Sequence, residues 1–200
     1  CTYSTITDAL GAVPDPTDQE YWIEVQSGSY TENVTVSEAT TGGPITIAAR
    51  CVGGSRDAVT ITPATDNPVL TVAATSANVT LEGFRVQASA VAANEGAVTL
   101  LGASGVARAL AVRGATNPAG VYVGGNDCDL REVDASDCKY GLQTFFANNV
   151  DLERGAFCNS RTNGIHIEGG SGFRGNASLA QDSAFDGVFA LTVCPADDLA

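Results

Sequence analysis

"GLQTFFANNVDLERGAFCNSRTNGIHIEGG", Gly141–Gly170, holds slightly more than one period of the chain. A glycine opens an alternating apolar stretch, "GLQTFFA"; Asn149 and Leu152 follow; a second glycine then opens "GIHIEGG" 23 residues after the first. The same element starts at Gly96, Gly120 and Gly187, so its five copies lie 24, 21, 23 and 23 residues apart. A second element keeps step: Asn or Asp, two residues, then Leu, in "NVTLEGF" (Leu81), "DCDLREV" (Leu130), "NVDLERGAF" (Leu152) and "NASLAQDSAF" (Leu179). Two registers advancing together mark a repeat architecture.

Each period contains strands of three to five residues with apolar alternation, separated by Gly, Asn, Asp and Ser turns. None shows the i, i+3, i+4 spacing of a helix. A coil of strand-only rungs, stacked ~4.8 Å apart in parallel register, satisfies period and composition together. The fold class expected is all-β, a parallel β-helix of about 23 residues per rung, with Val121, Leu142, Ile165 and Val188 stacked inside. "PITIAA", "AVTIT" and "PVLTV" read as earlier rungs. The recurring Asn tolerates left-handed backbone at a sharp corner, and its amide can bond the Asn one rung away. Turn geometry thus explains Asn78 and Asn176 without their sequons; Asn33 heads a third, "NVT".

A stack of rungs leaves an open edge at each end. At the start, "YSTITDALGAV" supplies a cover: Thr5 or Thr7 can cap a short helix, Asp8 lies in its first turn, and Ile6, Ala9, Leu10 and Val13 make one apolar face before "PDP" stops it. The chain reads as one domain, with a cap-helix region over 1–18, rungs over 19–194 and an acidic tail over 195–200. No helix is evident after "GVFALTV", which leaves self-association through the coil ends, up to a filament, as an expectation. A start at Cys1 without Met suggests a removed export segment or a fragment, with lipidation of Cys1 as an alternative.

A net charge of -13, with one Lys among ten basic residues, repels nucleic acid. No apolar run approaches the ~20 residues of a membrane helix. Six Cys without zinc-site spacing suggest an oxidised, extracellular or cell-surface protein. Cys138 and Cys158 lie 18 and 17 residues beyond the glycines of their own repeats, so a bridge between adjacent rungs is expected. Cys1 with Cys51 is a second pair; Cys128 with Cys138 competes, and Cys194 is left for an intermolecular link.

"YSTITDAL", "YWIEVQSGSYTENVTV" and "GPITIAA" resemble the opening of the pectate-lyase-like superfamily of right-handed β-helices, most closely of pectin methylesterases. The resemblance covers residues 3–50 in detail and the remainder as architecture. It implies a right-handed coil and, for an esterase, two catalytic Asp with an Arg and Gln residues forming an anion hole. Gln181 and Asp182 form a "QD" pair, but no second Asp motif follows, the Arg-Pro-Trp segment is missing, and the lone Trp22 sits in the first strand.

A lyase would need clustered carboxylates for calcium and a basic residue. Asp129, Asp134, Asp151 and Glu153 with Arg131 and Arg154 are the candidates. Arg85, Arg108, Arg131 and Arg154 are each 23 apart and suggest a stripe, which with Glu82, Glu132 and Glu153 reads first as a solvated ladder. His166, the only His, alternates with Ile165 and Ile167 and should face outward. Tyr122, Tyr140, Phe145 and Phe146 can form a sugar-stacking platform or fill the core. Gly28 is read as a turn with positive φ. The expectation is an extracellular structural or binding module; the alternatives are a carbohydrate-active enzyme on an acidic polysaccharide, with calcium as the one cofactor candidate, and a non-catalytic glycan-binding module.

Overall fold

The computed structural model describes residues 2–38, 43–50, 58–88, 96–115, 119–176 and 179–180. They form a parallel β-solenoid, wound as two sheets of twelve and six strands. One flank carries β1 (Tyr21–Val25), β4 (Ile45–Ala49), β7 (Val79–Glu82), the first halves of β10 (Val106–Arg113) and β12 (Asp129–Ser136), β14 (Asp151–Glu153) and β17 (Arg174–Asn176). The next carries β2 (Gly28–Thr31), β5 (Val59–Thr62), β8 (Arg85–Gln87), the second halves of β10 and β12, β15 (Ala156–Cys158) and β18 (Leu179–Ala180). The third, the six-stranded sheet, stacks β3 (Val34–Val36), β6 (Leu70–Val72), β9 (Gly96–Leu100), β11 (Ala119–Val123), β13 (Tyr140–Phe145) and β16 (Asn163–Glu168).

Columns of left-handed residues turn the chain at the corners. Asn78, Ser104, Asp127 and Asn149 have φ of 54° to 57° on successive rungs, and Gly172 (φ 74°) continues the column. Short polar side chains suit this conformation because they bond locally. Asn149 donates from Nδ2 to Asp127 Oδ1 at 2.9 Å, and Asn148 likewise to Asn126 Oδ1 at 3.1 Å, so the expected rung-to-rung amide bonds form. A second column, Gly83, Ala109, Glu132 and Arg154, bends β10 and β12 in their middles. Gly28 has the positive φ expected of it, 158°, but as the first residue of β2 rather than within a turn.

Inside, Val98, Val121, Leu142 and Ile165 stack in register and are buried, as the repeat predicts; Val188 lies outside the described residues. Leu81, Ala107, Leu130 and Leu152 make the matching column of the first flank. That column continues at Gly175, and Leu179 pairs instead with Ala156. The "NASL" copy is therefore out of step: Gly172, rather than Asn176, lies one rung beyond Asn149.

The cap helix α1 (Ile6–Leu10) closes the first rung as expected, with Thr5 as N-cap accepting from the Asp8 amide and Ile6, Leu10 and Val13 buried. A residue 25 positions away holds it in place. Glu32 accepts from the Ile6 amide at 3.0 Å, the Thr7 amide at 3.0 Å and the Thr7 hydroxyl at 2.6 Å. Charge-assisted bonds to otherwise unpaired helix amides are among the stronger kind. Glu32→Ala should cost about 2 kcal/mol, read as a lower urea midpoint; an unchanged midpoint would show that apolar packing alone seats the cap.

The cysteines do not pair as expected. Cys128 and Cys138 are free and buried, which excludes both the Cys138 to Cys158 and the Cys128 to Cys138 bridges. Strand register explains the first miss: Cys158 ends β15 opposite Ser136, while Cys138 lies two residues beyond, in the turn. Cys158 is disulfide-bonded. Cys1, Cys51 and Cys194 lie outside the described residues.

Candidate binding site

The first flank carries most of the carboxylates and arginines singled out above, while Arg85 on β8 and Asp134 in the second half of β12 lie on the next flank. Asp129 and Asp151 are register partners, as are Arg131 and Glu153. On the first flank Glu82, Asp129, Asp151 and Glu153 each lie within 4.0 Å of an arginine. Arg131 bonds Asp129 through two nitrogens, at 3.0 and 2.6 Å, and this carboxylate raises the guanidinium pKa further. Arg154 meets Glu132 at 2.9 Å, and Arg174 lies 3.7 Å from Asp151. Asp134 turns away, accepting from the Ala156 amide at 3.2 Å.

The 23-residue arginine stripe is only half formed. Arg108 and Arg131 stack, but Glu82 and Glu153 occupy the column on either side, and Arg154 stands at the corner. Successive rungs here advance by 26, 23 and 22 residues, so a constant spacing drifts off the column. The result is an exposed ion-pair ladder, an arrangement of small energetic weight. Among the described residues no group of three or more His, Cys, Asp or Glu is placed to hold a metal ion. Asp182 lies outside them.

The third flank is different. Tyr122, Gln143 and His166 are register partners on β11, β13 and β16, and Phe145 pairs with Glu168. Alternation places Gln143 and Phe145 on one face of β13, and His166 and Glu168 on the same face of β16. Tyr122 is buried and supports Phe145, ring centroids 6.4 Å apart and planes at 29°. Phe146 meets Phe145 edge-on at 4.8 Å. Phe145 is 39% exposed and Phe146 63%. His166 stacks on Tyr140 at 4.8 Å, with the Lys139 ammonium 5.2 Å from that tyrosine ring.

Among the described residues Phe146 is the one aromatic at a left-handed corner. Its φ is 51°, a left-handed conformation that costs a bulky side chain about 1 kcal/mol or more. One rung on, the same corner is Gly169, with φ 66°. A Cβ on Gly169 would lie 2.6 Å from the Phe146 ring, so the glycine also makes room for it. The ring thus carries backbone strain and needs a glycine beneath it, yet most of it faces water.

The structure therefore brings all four candidate aromatics and His166 onto one flank. Sequence reasoning missed Gln143 and Glu168, whose only signal was shared alternation with Phe145 and His166.

A concavity of about 610 Å³ lies elsewhere, between α1 and β1, lined by Tyr3, Tyr21, Trp22 and Tyr30 among others. Its Glu24 carboxylate is already engaged by Gln26 at 2.9 Å and Arg50 at 3.4 Å. No family model matches the chain, and no curated protein matches it.

Proposed function

We propose that this solenoid is a non-enzymatic structural and binding module whose third flank takes a neutral carbohydrate on Phe145 and Phe146. The exposed ring of Phe146, held in a left-handed conformation, carries the reading: strained residues concentrate where binding requires them. Flat aromatic faces stack on the C–H faces of sugar rings, and the neighbouring Gln143, His166 and Glu168 supply hydrogen-bonding groups. With Glu168 at its border and a net charge of -13, the face disfavours uronate polymers.

An extracellular or cell-surface setting and a right-handed, pectate-lyase-like coil belong to the same reading, supported by composition and by the opening segment through "GPITIAA". Self-association through the coil ends remains part of it, motivated by the exposed backbone edge any strand stack presents.

Affinity electrophoresis against neutral and acidic soluble polysaccharides tests the site. A neutral polymer should retard the protein with or without calcium, and Phe146→Gly should weaken that binding at least tenfold. The same substitution should leave stability unchanged or raise it by about 1 kcal/mol, because glycine accepts the conformation without strain. Absence of retardation, or a Phe146→Gly variant that binds as the parent does, would overturn the reading.

A further inference from the structure

We infer that Gln143, His166 and Glu168 form the polar half of this site, arranged to grip a hydroxyl of the sugar stacked on Phe145 and Phe146; the inference rests on the carbohydrate reading above. Two atoms lead to it. Gln143 Oε1 and His166 Nδ1 are both buried, and neither has a hydrogen-bond partner among the described residues. They belong to register partners on adjacent rungs, facing the same way, and rungs lie ~4.8 Å apart.

Buried polar atoms are nearly always paired. A glutamine amide presents an acceptor at one corner and a donor at the other, and a half-turn exchanges them. With Nε2 turned inward, Gln143 donates to His166 Nδ1 and both atoms are satisfied. A neutral imidazole has one donor and one acceptor, so Nδ1 as acceptor places the ring proton on Nε2.

Nε2 faces Glu168. Its distance to Glu168 Oε2 is 3.7 Å, too long for a direct hydrogen bond. A hydroxyl oxygen set beside the pair would accept from Nε2–H and donate to the carboxylate, bridging them with two bonds. The Tyr140 stack holds the ring plane, and Glu168 lies beside Phe145. His166 is 25% exposed and Glu168 51%, so a ligand can reach them. Gln143 is a positioning residue; His166 and Glu168 touch the ligand.

One histidine in the chain makes the test direct, because its ring nitrogens give unambiguous long-range nitrogen–proton correlations. At pH 8 the wild type should show the Nε2–H tautomer, and Gln143→Leu should shift it toward a mixture. Glu168→Gln and Gln143→Leu should each lose about tenfold in affinity for the polysaccharide that binds the wild type, with unchanged circular dichroism. An Nδ1–H tautomer in the wild type, or full affinity in both variants, would overturn the inference. If the wild type binds no polysaccharide, the carbohydrate reading fails and the hydroxyl grip with it; the tautomer then decides the Gln143 to His166 bond alone.

Discussion

Gly141→Val is expected to destabilise the solenoid by about 3 kcal/mol or more, enough to unfold a large fraction of a marginally stable domain at moderate urea. Gly141 does not sit at positive φ, so backbone strain is not the reason. A Cβ there would lie 2.6 Å from the Gly164 carbonyl oxygen and 2.7 Å from Phe157 Cβ. The oxygen belongs to the next rung, which cannot move without opening the ladder, and Phe157 is fully buried. Gly120 is equally confined, with a Cβ 2.8 Å from that of Ala135. Close approach, rather than a turn, is what these two repeat glycines serve. Gly11→Ala is the control: its φ is -60° and its nearest neighbours would be 3.6 Å away. Urea unfolding should show a large loss for Gly141→Val and little change for Gly11→Ala; equal midpoints would refute the packing argument.

Raising the pH from 9 to 11 should remove about 4 kcal/mol of stability through two buried thiols. Burial pushes Cys128 from 9.0 up to about 11, with the Asp127 charge adding a smaller push. Cys138 rises likewise to about 11, burial again leading and Asp137 assisting. In the unfolded chain these thiols ionise near 9.0, whereas the fold keeps them protonated. Their contribution is therefore complete below pH 9 and is lost as pH rises toward 11, by about 1.4 kcal/mol per pKa unit for each thiol. Urea midpoints between pH 8 and 11 should fall steeply for the parent and less for a Cys128→Ala, Cys138→Ala variant. Parallel slopes would mean that other groups control the alkaline limit. Iodoacetamide should correspondingly label both thiols slowly until the protein unfolds, since the thiolate is the reactive form.

Much of the fold is legible in the period. Glycine followed by alternating apolar residues predicts the Val121, Leu142 and Ile165 column, and Asn149 with Asp127 predicts left-handed corners. Both follow from local chemistry: alternation has one meaning in a strand, and Asn and Asp tolerate positive φ. What the period does not reveal is rung length. Successive rungs differ by a few residues, so the arginine stripe breaks, Cys158 meets Ser136 instead of Cys138, and Gly172 takes the corner expected of Asn176.

The proposed binding face divides in the same way. Tyr122, Phe145, Phe146 and His166 were nameable in advance, because aromatics and a lone histidine stand out from a chain with 6% aromatic residues. Whether those rings face in or out was not, since corner residues leave the strand alternation. Gln143 meets His166, and Glu168 meets Phe145, only because β13 and β16 pair with an offset of 23 residues. The cap is a parallel case: residues 4–13 determine a short amphipathic helix, while its anchoring to Glu32 depends on how β2 and β3 are placed. By itself the sequence determined the coil, its corners and its cap, all properties of neighbouring residues. Which side chains share a surface was decided by tertiary structure, because each variable turn resets the register from one rung to the next.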